Sequence, residues 1–325
     1  MMDEAIMETV RSVLKWLLIV GGVLLVAWLG VFAAGMYVQE VKSFKRVKFF
    51  TYVRFVLTWM IGSFFFSACC LPEILFHPDR VREKAHRLGS IMGQYLYSIV
   101  GKQPDVAGLE YVPSNGDEAV VYVANHNSSV DIALFYQVGI GRRFAWVSKS
   151  SVFGVPGVGL IMKLSKYVSI TRGRRDSVLR MFSDCKDSLR AGWPVVIFPQ
   201  GTRRRHKILD FKNGAFELAM EAKVAVVPVT LYLPEDLFFS PKERAKLTVH
   251  KPVRPSDPEF KDVETLKKHC FDVIMSALPY AKDMIAAQEK AKAEAAAAAA
   301  AGGGEGAGAT AAAAAAAPAE AKKTK

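Results

Sequence analysis

Cysteine is scarce in this 325-residue chain: there are four, and two of them, Cys69 and Cys70, are adjacent. Adjacent cysteines cannot supply the spaced pairs of a four-ligand zinc site, and four thiols in so long a chain do not make a disulfide framework. They read as reduced and facing the cytosol. Palmitoylation of Cys69 and Cys70, at the end of an apolar run, competes with the plainer reading of two small apolar residues in a membrane-facing helix. Acidic residues are also in deficit, 31 against 43 lysines and arginines, and the resulting formal charge of +12 favours anionic partners. Nucleic acid would be one, but no recognition helix, zinc finger or stacking platform accompanies the charge. A lipid surface is the other, and the 51% apolar content favours it. The Gly-x-Ser-x-Gly nucleophile elbow of serine hydrolases is absent as well.

Long apolar runs, by contrast, are present near the start. From Trp16 to Tyr37 no residue is charged, a length that matches the roughly 20 residues needed to cross a bilayer. A cleaved signal peptide fits less well, because Asp3, Glu4 and Glu8 precede the run and it exceeds a signal core of about 7 to 15 residues. A second run, Phe55 to Leu71, is shorter. Basic clusters follow both runs: Lys42, Lys45, Arg46, Lys48 and Arg54, then Arg80, Arg82, Lys84 and Arg87. Two spans would leave one cluster on the wrong side of the membrane. The favoured arrangement is one span, about 16–37, followed by an aromatic-rich helix, about 55–71, that dips into the cytosolic leaflet; a two-span hairpin is the alternative. Residues 1–78 are thus expected to anchor the chain, 79–281 to form the main domain and 282–325 to be a low-complexity Ala/Gly/Lys-rich tail. The tail ends in Lys322-Lys323-Thr324-Lys325, similar to the dilysine retrieval signal of endoplasmic-reticulum membrane proteins, so that membrane, with the main domain cytosolic, is the expected location.

Between Asp105 and Ala281 the pattern alternates. Ala119–Val123, Tyr167–Ile170, Val195–Phe198 and Val224–Leu231 are short β-branched and aromatic runs, whereas Asp176–Arg190 carries Val178, Met181, Phe182, Cys185 and Leu189 at steps of three and four. The fold class is therefore α/β, a largely parallel sheet flanked by helices, with membrane helices at the N-terminus. Such sheets place ligands beyond the carboxyl ends of their strands. There the first run leads into Asn125, His126 and Asp131, the second into Thr171, Arg172 and Gly173, and the third into Pro199, Gln200, Gly201, Thr202 and Arg203. Taken singly, each has a plain reading: a loop histidine with a helix-capping aspartate, a surface arginine, an ordinary turn. Taken together they would converge on one rim. Histidine, with an ordinary pKa of about 6.5, takes up protons at physiological pH, and a carboxylate on its other nitrogen would fix the tautomer and stabilise the imidazolium. Ser128 and Ser129 are too constrained on so short a loop to serve readily as a nucleophile, so the simpler scheme has His126 deprotonate a substrate hydroxyl that attacks an acyl donor directly. Arg172 and Arg203 can hold a phosphate.

These residues also carry a resemblance. Asn125-His126 followed by Asp131, the stretch Phe198-Pro199-Gln200-Gly201-Thr202-Arg203, and Phe211-Lys212-Asn213-Gly214-Ala215-Phe216 leading to Val227-Pro228-Val229 resemble, in that order, the motifs of the glycerolipid acyltransferases. Lys149 to Gly159 is similar to the block between that family's first two motifs, and Ile170-Thr171-Arg172 to the end of its second. The resemblance runs from about Asp105 to Leu231. It implies that His126 is the general base and Asp131 its orienting partner, that Arg172, Gly201, Thr202 and Arg203 bind the acceptor's phosphate and glycerol, and that Pro228 shapes the acyl-donor side. Asn125, Lys149 and Gln200 join the substrate-binding set. It further implies long-chain acyl-coenzyme A as co-substrate, lysophosphatidate as acceptor, membrane lipids as surroundings, and no metal or other cofactor. Glycerol 3-phosphate or another lysophospholipid is the alternative acceptor, and a non-catalytic membrane-docking role the alternative function. One position departs from the pattern: Gln200 stands where the family usually has Glu, which keeps the size and loses the charge. Between Gly141 and Lys207 fifteen lysines and arginines face only Asp176, Asp184 and Asp187, a field suited to anionic substrates and acidic lipid.

Overall fold

The computed structural model describes residues 44–100, 103–139, 141–203, 207–234 and 243–301, with a few isolated positions before residue 44. The expected span at 16–37 therefore lies outside the described residues, apart from those isolated positions. Two compact units divide at Ala281/Lys282. The second contains a long alanine-rich helix that begins at the junction, Ala281–Ala301.

The first unit is built on seven strands: β1 (Asp105–Ala107), β2 (Val121–Ala124), β3 (Ala145–Lys149), β4 (Val168–Ile170), β5 (Val195–Ile197), β6 (Val226–Tyr232) and β7 (Lys246–Val249). Their order across the sheet is β1-β7-β6-β2-β5-β3-β4. All neighbours are parallel except β6 and β7. The expected parallel sheet is present, and the four strands read from the sequence are β2, β4, β5 and β6. Every residue of β2 is buried, as a central strand covered on both faces requires.

The two faces can be told apart by alternation. Tyr122, Ala124, Val196, Val227, Val229 and Leu231 share one core with Leu96 and Tyr97 of α3 (Val81–Val100) and with Val130, Leu134 and Phe135 of α4 (Val130–Phe135). On the other face Thr230 donates its hydroxyl to the Ile274 carbonyl of α8 (Val263–Ser276), over distances of 3.1 Å. Helix α6 (Arg175–Arg190) packs on β4 and β5, and α7 (Gly214–Ala222) lies beside α6. Each fully buried Phe, Leu or Val contributes roughly 1.5–3 kcal/mol relative to exposure, so this two-sided core dominates the stability.

Two N-terminal helices belong to the same unit. α1 (Phe44–Ala68) packs against α3 and α5 (Val158–Leu164), burying Phe55, Thr58, Ile61, Ser63 and Ser67. The contact is close: a Cβ on Gly157, whose φ is +73°, would lie 2.5 Å from the Met60 carbonyl oxygen. Short α2 (Leu71–Phe76) leaves Ile74, Leu75 and Phe76 exposed. The segment Tyr52–Phe76 is long and apolar enough to cross a membrane by length and composition. The expected boundary at residue 78 has no counterpart in the packing, since α1 and α3 share a buried core. Cys70 is buried and Cys69 exposed, so only Cys69 is open to acylation.

A buried polar chain crosses the core under the rim. The Arg142 carbonyl accepts from His86 Nε2 (2.6 Å), which leaves Nδ1 to accept from the Tyr167 hydroxyl (2.8 Å). Tyr167 in turn accepts from Tyr136 (3.1 Å), and Tyr136 from the Trp146 indole N–H (3.0 Å). Every donor in this chain has one direction available to it, so Trp146 is held in a single orientation.

Candidate active site

The site begins where β2 leaves the sheet. The last β2–β6 pair is Ala124 with Val229. Beyond it the side chain of Asn125 takes over the pairing, donating from Nδ2 to the Leu231 carbonyl and accepting the Leu231 N–H, both at 2.8 Å. Asn125 is thus spent as a staple between strands, and its buried amide does not reach a substrate. Freed from the ladder, the chain turns at His126 and re-enters helix at α4. This turn brings Asp131, five residues on, back to the histidine.

The His126 side chain is 13% exposed and that of Asp131 fully buried. Asp131 Oδ2 accepts from His126 Nδ1 at 2.9 Å and from the backbone N–H groups of Asn127 (2.7 Å) and Ser128 (2.8 Å). A carboxylate can only accept, so Nδ1 carries the proton and the lone pair of the neutral ring lies on Nε2. Nε2 has no partner among the described residues. The other carboxylate oxygen, Oδ1, is buried without a donor, so Oδ2 alone anchors this turn. The imidazole also lies flat on Phe198, centroids 4.0 Å apart and planes 14° apart, and Phe198 stacks on Trp146 at 5.6 Å. The ring is therefore fixed by a carboxylate in its plane and an aromatic platform on its face.

Neighbouring strands contribute the rest of the rim. After β5, Gln200 is buried and its Oε1 accepts the His126 backbone N–H at 2.7 Å. Gly201 follows with φ of +71°, a left-handed turn in which its N–H donates to the Phe198 carbonyl (3.0 Å), and Thr202 and Arg203 are exposed beyond it. Lys149 ends β3 and Arg172 follows β4, both exposed. The two strand ends are linked by the Thr171 hydroxyl donating to Ser150 Oγ at 3.0 Å. In the order β2-β5-β3-β4, with strands about 4.8 Å apart, the β4 end lies roughly 14 Å along the rim from the β2 end. The cations thus form a row leading away from the histidine.

Some expected members lie elsewhere. Pro228 is inside β6 opposite Val123, buried below the rim. The Gly201 N–H and the Asn125 side-chain amide are already bonded within the protein. The Ser128 hydroxyl oxygen accepts the Val130 N–H (3.2 Å) and does not face His126. Two neighbours went unread in the sequence. Phe198 opens a recognised motif, but nothing local marked it as the platform. Tyr280, whose hydroxyl accepts from Asn127 Nδ2 at 2.6 Å, lies 153 residues away and carries no local signal. Among the described residues no three His, Cys, Asp or Glu side chains gather to hold a metal ion.

A histidine with an open Nε2, a buried carboxylate behind it and a row of cations beside it is an arrangement that can take a proton from a hydroxyl and face an anionic group. Residues 103–232 match the family described as Acyltransferase, and the chain belongs to that family. It is 36% identical over 209 residues to a 1-acyl-sn-glycerol-3-phosphate acyltransferase of Chlamydomonas reinhardtii, a match covering 61% of this chain and 60% of that protein. With the chloroplastic 1-acyl-sn-glycerol-3-phosphate acyltransferase LPAT1 of Arabidopsis thaliana it shares 33% over 195 residues, covering 56% and 54%. With the human 1-acyl-sn-glycerol-3-phosphate acyltransferase alpha it shares 30% over 200 residues, covering 61% and 67%. The chain thus spans less than two thirds of the length of the first two relatives. The solved structure of the acyltransferase PlsC from Thermotoga maritima has the same fold, with a TM-score of 0.59 at 24% identity, over 71% of this chain and 95% of that one.

Proposed function

We propose that this chain transfers a fatty acyl group from acyl-coenzyme A to the sn-2 hydroxyl of lysophosphatidate, forming phosphatidate. The observation that carries the reading is the His126–Asp131 pair with Nε2 left open. Nε2 takes the proton of the acceptor hydroxyl as its oxygen attacks the thioester carbonyl. Asp131 stabilises the imidazolium so formed. The tetrahedral intermediate collapses, the carbon–sulfur bond breaks, and the imidazolium returns its proton to the coenzyme A thiolate. The proton balance closes on one histidine, so the scheme draws on no cofactor. Arg203, on the strand end next to His126, suits the acceptor's phosphate, and Lys149 and Arg172 extend the cationic row for further anionic groups.

The reading also places the enzyme at a membrane. The lysolipid acceptor resides there, and exposed Ile74, Leu75 and Phe76, at 41%, 57% and 68% exposure, offer an apolar tip next to the long apolar helix. The endoplasmic reticulum as compartment rests on the lysine pattern at 322–325 alone. Imaging the tagged chain with and without Lys322→Ser/Lys323→Ser tests it against a plastid location, which the names of two relatives carry.

The deciding experiment is release of free coenzyme A by detergent-purified protein given oleoyl-coenzyme A and, separately, lysophosphatidate, glycerol 3-phosphate, lysophosphatidylcholine and monoacylglycerol. Turnover selective for lysophosphatidate is expected. Selectivity for another acceptor would keep the mechanism and replace the substrate. No turnover with any acceptor, together with binding to acidic vesicles, would favour the docking role.

A further inference from the structure

Gln200 was counted among substrate-binding residues, yet both ends of its amide are already engaged inside the protein. The side chain is buried, at 6% exposure. One end accepts the backbone N–H of His126 at 2.7 Å, and the other donates to the backbone carbonyl of Leu209 at 3.4 Å. The orientation follows from the partners: an N–H requires the amide oxygen, and a carbonyl requires the NH2. Leu209 lies at the far side of the loop that begins at Gly201 and carries Thr202 and Arg203. The base of that loop is closed again by Lys212 N–H donating to the Pro199 carbonyl at 3.0 Å, and its entry by the Gly201 turn. One side chain therefore bonds to the base's own backbone and to the loop that carries exposed Arg203.

We propose that Gln200 is a positioning residue that ties the Arg203 loop to His126, so that the cation for the acceptor's phosphate and the acceptor of its proton are held in one register. The inference rests on the acyl-transfer reading above and adds how that site sets its acceptor geometry. It also explains why glutamine serves at this position. An ionised glutamate could accept the His126 N–H, but it has no proton for Leu209, and its second oxygen would face a carbonyl oxygen. Of the amide and the ionised carboxylate, only the amide satisfies both neighbours.

The test measures kcat and KM for lysophosphatidate and for oleoyl-coenzyme A in the full chain carrying Gln200→Met, Gln200→Glu, Arg203→Ala and the Gln200→Met/Arg203→Ala pair. Gln200→Glu, which keeps the bond to His126 and loses the one to Leu209, is expected to raise the lysophosphatidate KM about fivefold and leave the oleoyl-coenzyme A KM within about twofold. Gln200→Met, which loses both, is expected to lower kcat about tenfold as well. In the Gln200→Met background Arg203→Ala should cost at least about fivefold less than it does alone, because groups that act as one unit are not additive. A passive filler would give multiplicative effects, or equal changes in both KM values, and either result overturns the proposal. Should the parent chain show no turnover with any acceptor, the acyl-transfer reading fails on its own, and amide hydrogen exchange then reads the tie directly. Faster exchange at both 125–128 and 201–211 in Gln200→Met supports the tie, and unchanged exchange in either stretch overturns it.

Discussion

Two histidines in this protein pack against aromatic side chains, and their hydrogen-bond partners differ in charge. His126 lies on Phe198 with a buried carboxylate on Nδ1 and an open Nε2. His86 is almost wholly buried among Phe144, Tyr167 and Trp193, edge to face with each, and both its nitrogens are used by neutral partners, a carbonyl and a phenol. The first can form an imidazolium beside a negative charge. The second cannot do so without reversing the Tyr167 hydrogen bond and placing a cation in an apolar core near Arg82 and Arg143, and burial drives its pKa down to about 4. The difference shows that aromatic packing fixes a ring, whereas the charge of the hydrogen-bonded partner decides whether the ring can do acid–base work.

Replacing His126 breaks the comparison most severely. His126→Ala should lower kcat about 1,000-fold, the scale of a lost general base, with a modest fall in melting temperature because the stack on Phe198 and the Nδ1 bond to buried Asp131 go with the ring. Asp131→Asn is the next step down. It keeps an oxygen for the amides of Asn127 and Ser128 and for Nδ1, removes the charge, and puts an NH2 where Oδ1 is buried without a partner. A loss of about 100-fold in kcat with little change in KM would attribute the difference between the two histidines to charge; a loss under about threefold would attribute it to exposure instead.

Much of this site was legible in order but not in contact. Parallel strands in an α/β pattern dictate that loops after β2, β4 and β5 share a rim, so His126, Arg172 and Arg203 could be grouped before any geometry was known, whereas Lys149 entered only through the family resemblance. The spacing of His126 and Asp131 was readable too, because one turn followed by a helix returns the fifth residue to the first. Side-chain bookkeeping was not readable. Asn125 and Gln200 look like substrate ligands in a sequence, since an amide next to a catalytic residue has the right chemistry. Only the Leu231 and Leu209 backbones, 106 and 9 residues away, show that these amides are consumed. β1, β3 and β7 escaped for a related reason: they are only three, five and four residues long, and the pairing that makes them strands lies outside their own sequence. The His86 chain escaped because its members are dispersed over four segments.

The pH dependence of stability sharpens the other half of the comparison. The folded state resists protonation of His86 down to about pH 4, whereas the unfolded ring takes a proton below its ordinary 6.5. The unfolded state then binds more protons between these values, so the His86 contribution is complete above pH 6.5 and is lost progressively as the pH falls to about 4. That depression corresponds to about 3 kcal/mol. Urea unfolding of the parent and of His86→Gln at pH 7.5 and pH 4.5 should give a smaller acid loss in the variant, by about 2–3 kcal/mol. Equal losses in the two proteins would mean that carboxylates, and not His86, set the acid limit. The turnover of folded His86→Gln at pH 7.5 should stay within about threefold of the parent, which is the reverse of His126→Ala.

The smallest effect is expected at the residue that joins the two regions. Phe198 supports His126 on one face and stacks on Trp146 on the other, and Trp146 is the first donor of the chain that ends at His86. Phe198→Leu preserves apolar volume but removes the flat surface, and an aromatic pair contributes about 0.5–1.5 kcal/mol beyond the area it buries. If that surface holds the imidazole at its working angle, kcat should fall about three- to tenfold, with KM for both substrates and the melting temperature close to the parent's. If the stack serves only packing, the melting temperature should fall and kcat per folded molecule should not. The outcome distinguishes a core that merely lies beneath the active rim from one that orients it, since Phe198 stacks on His126 and on Trp146 at once.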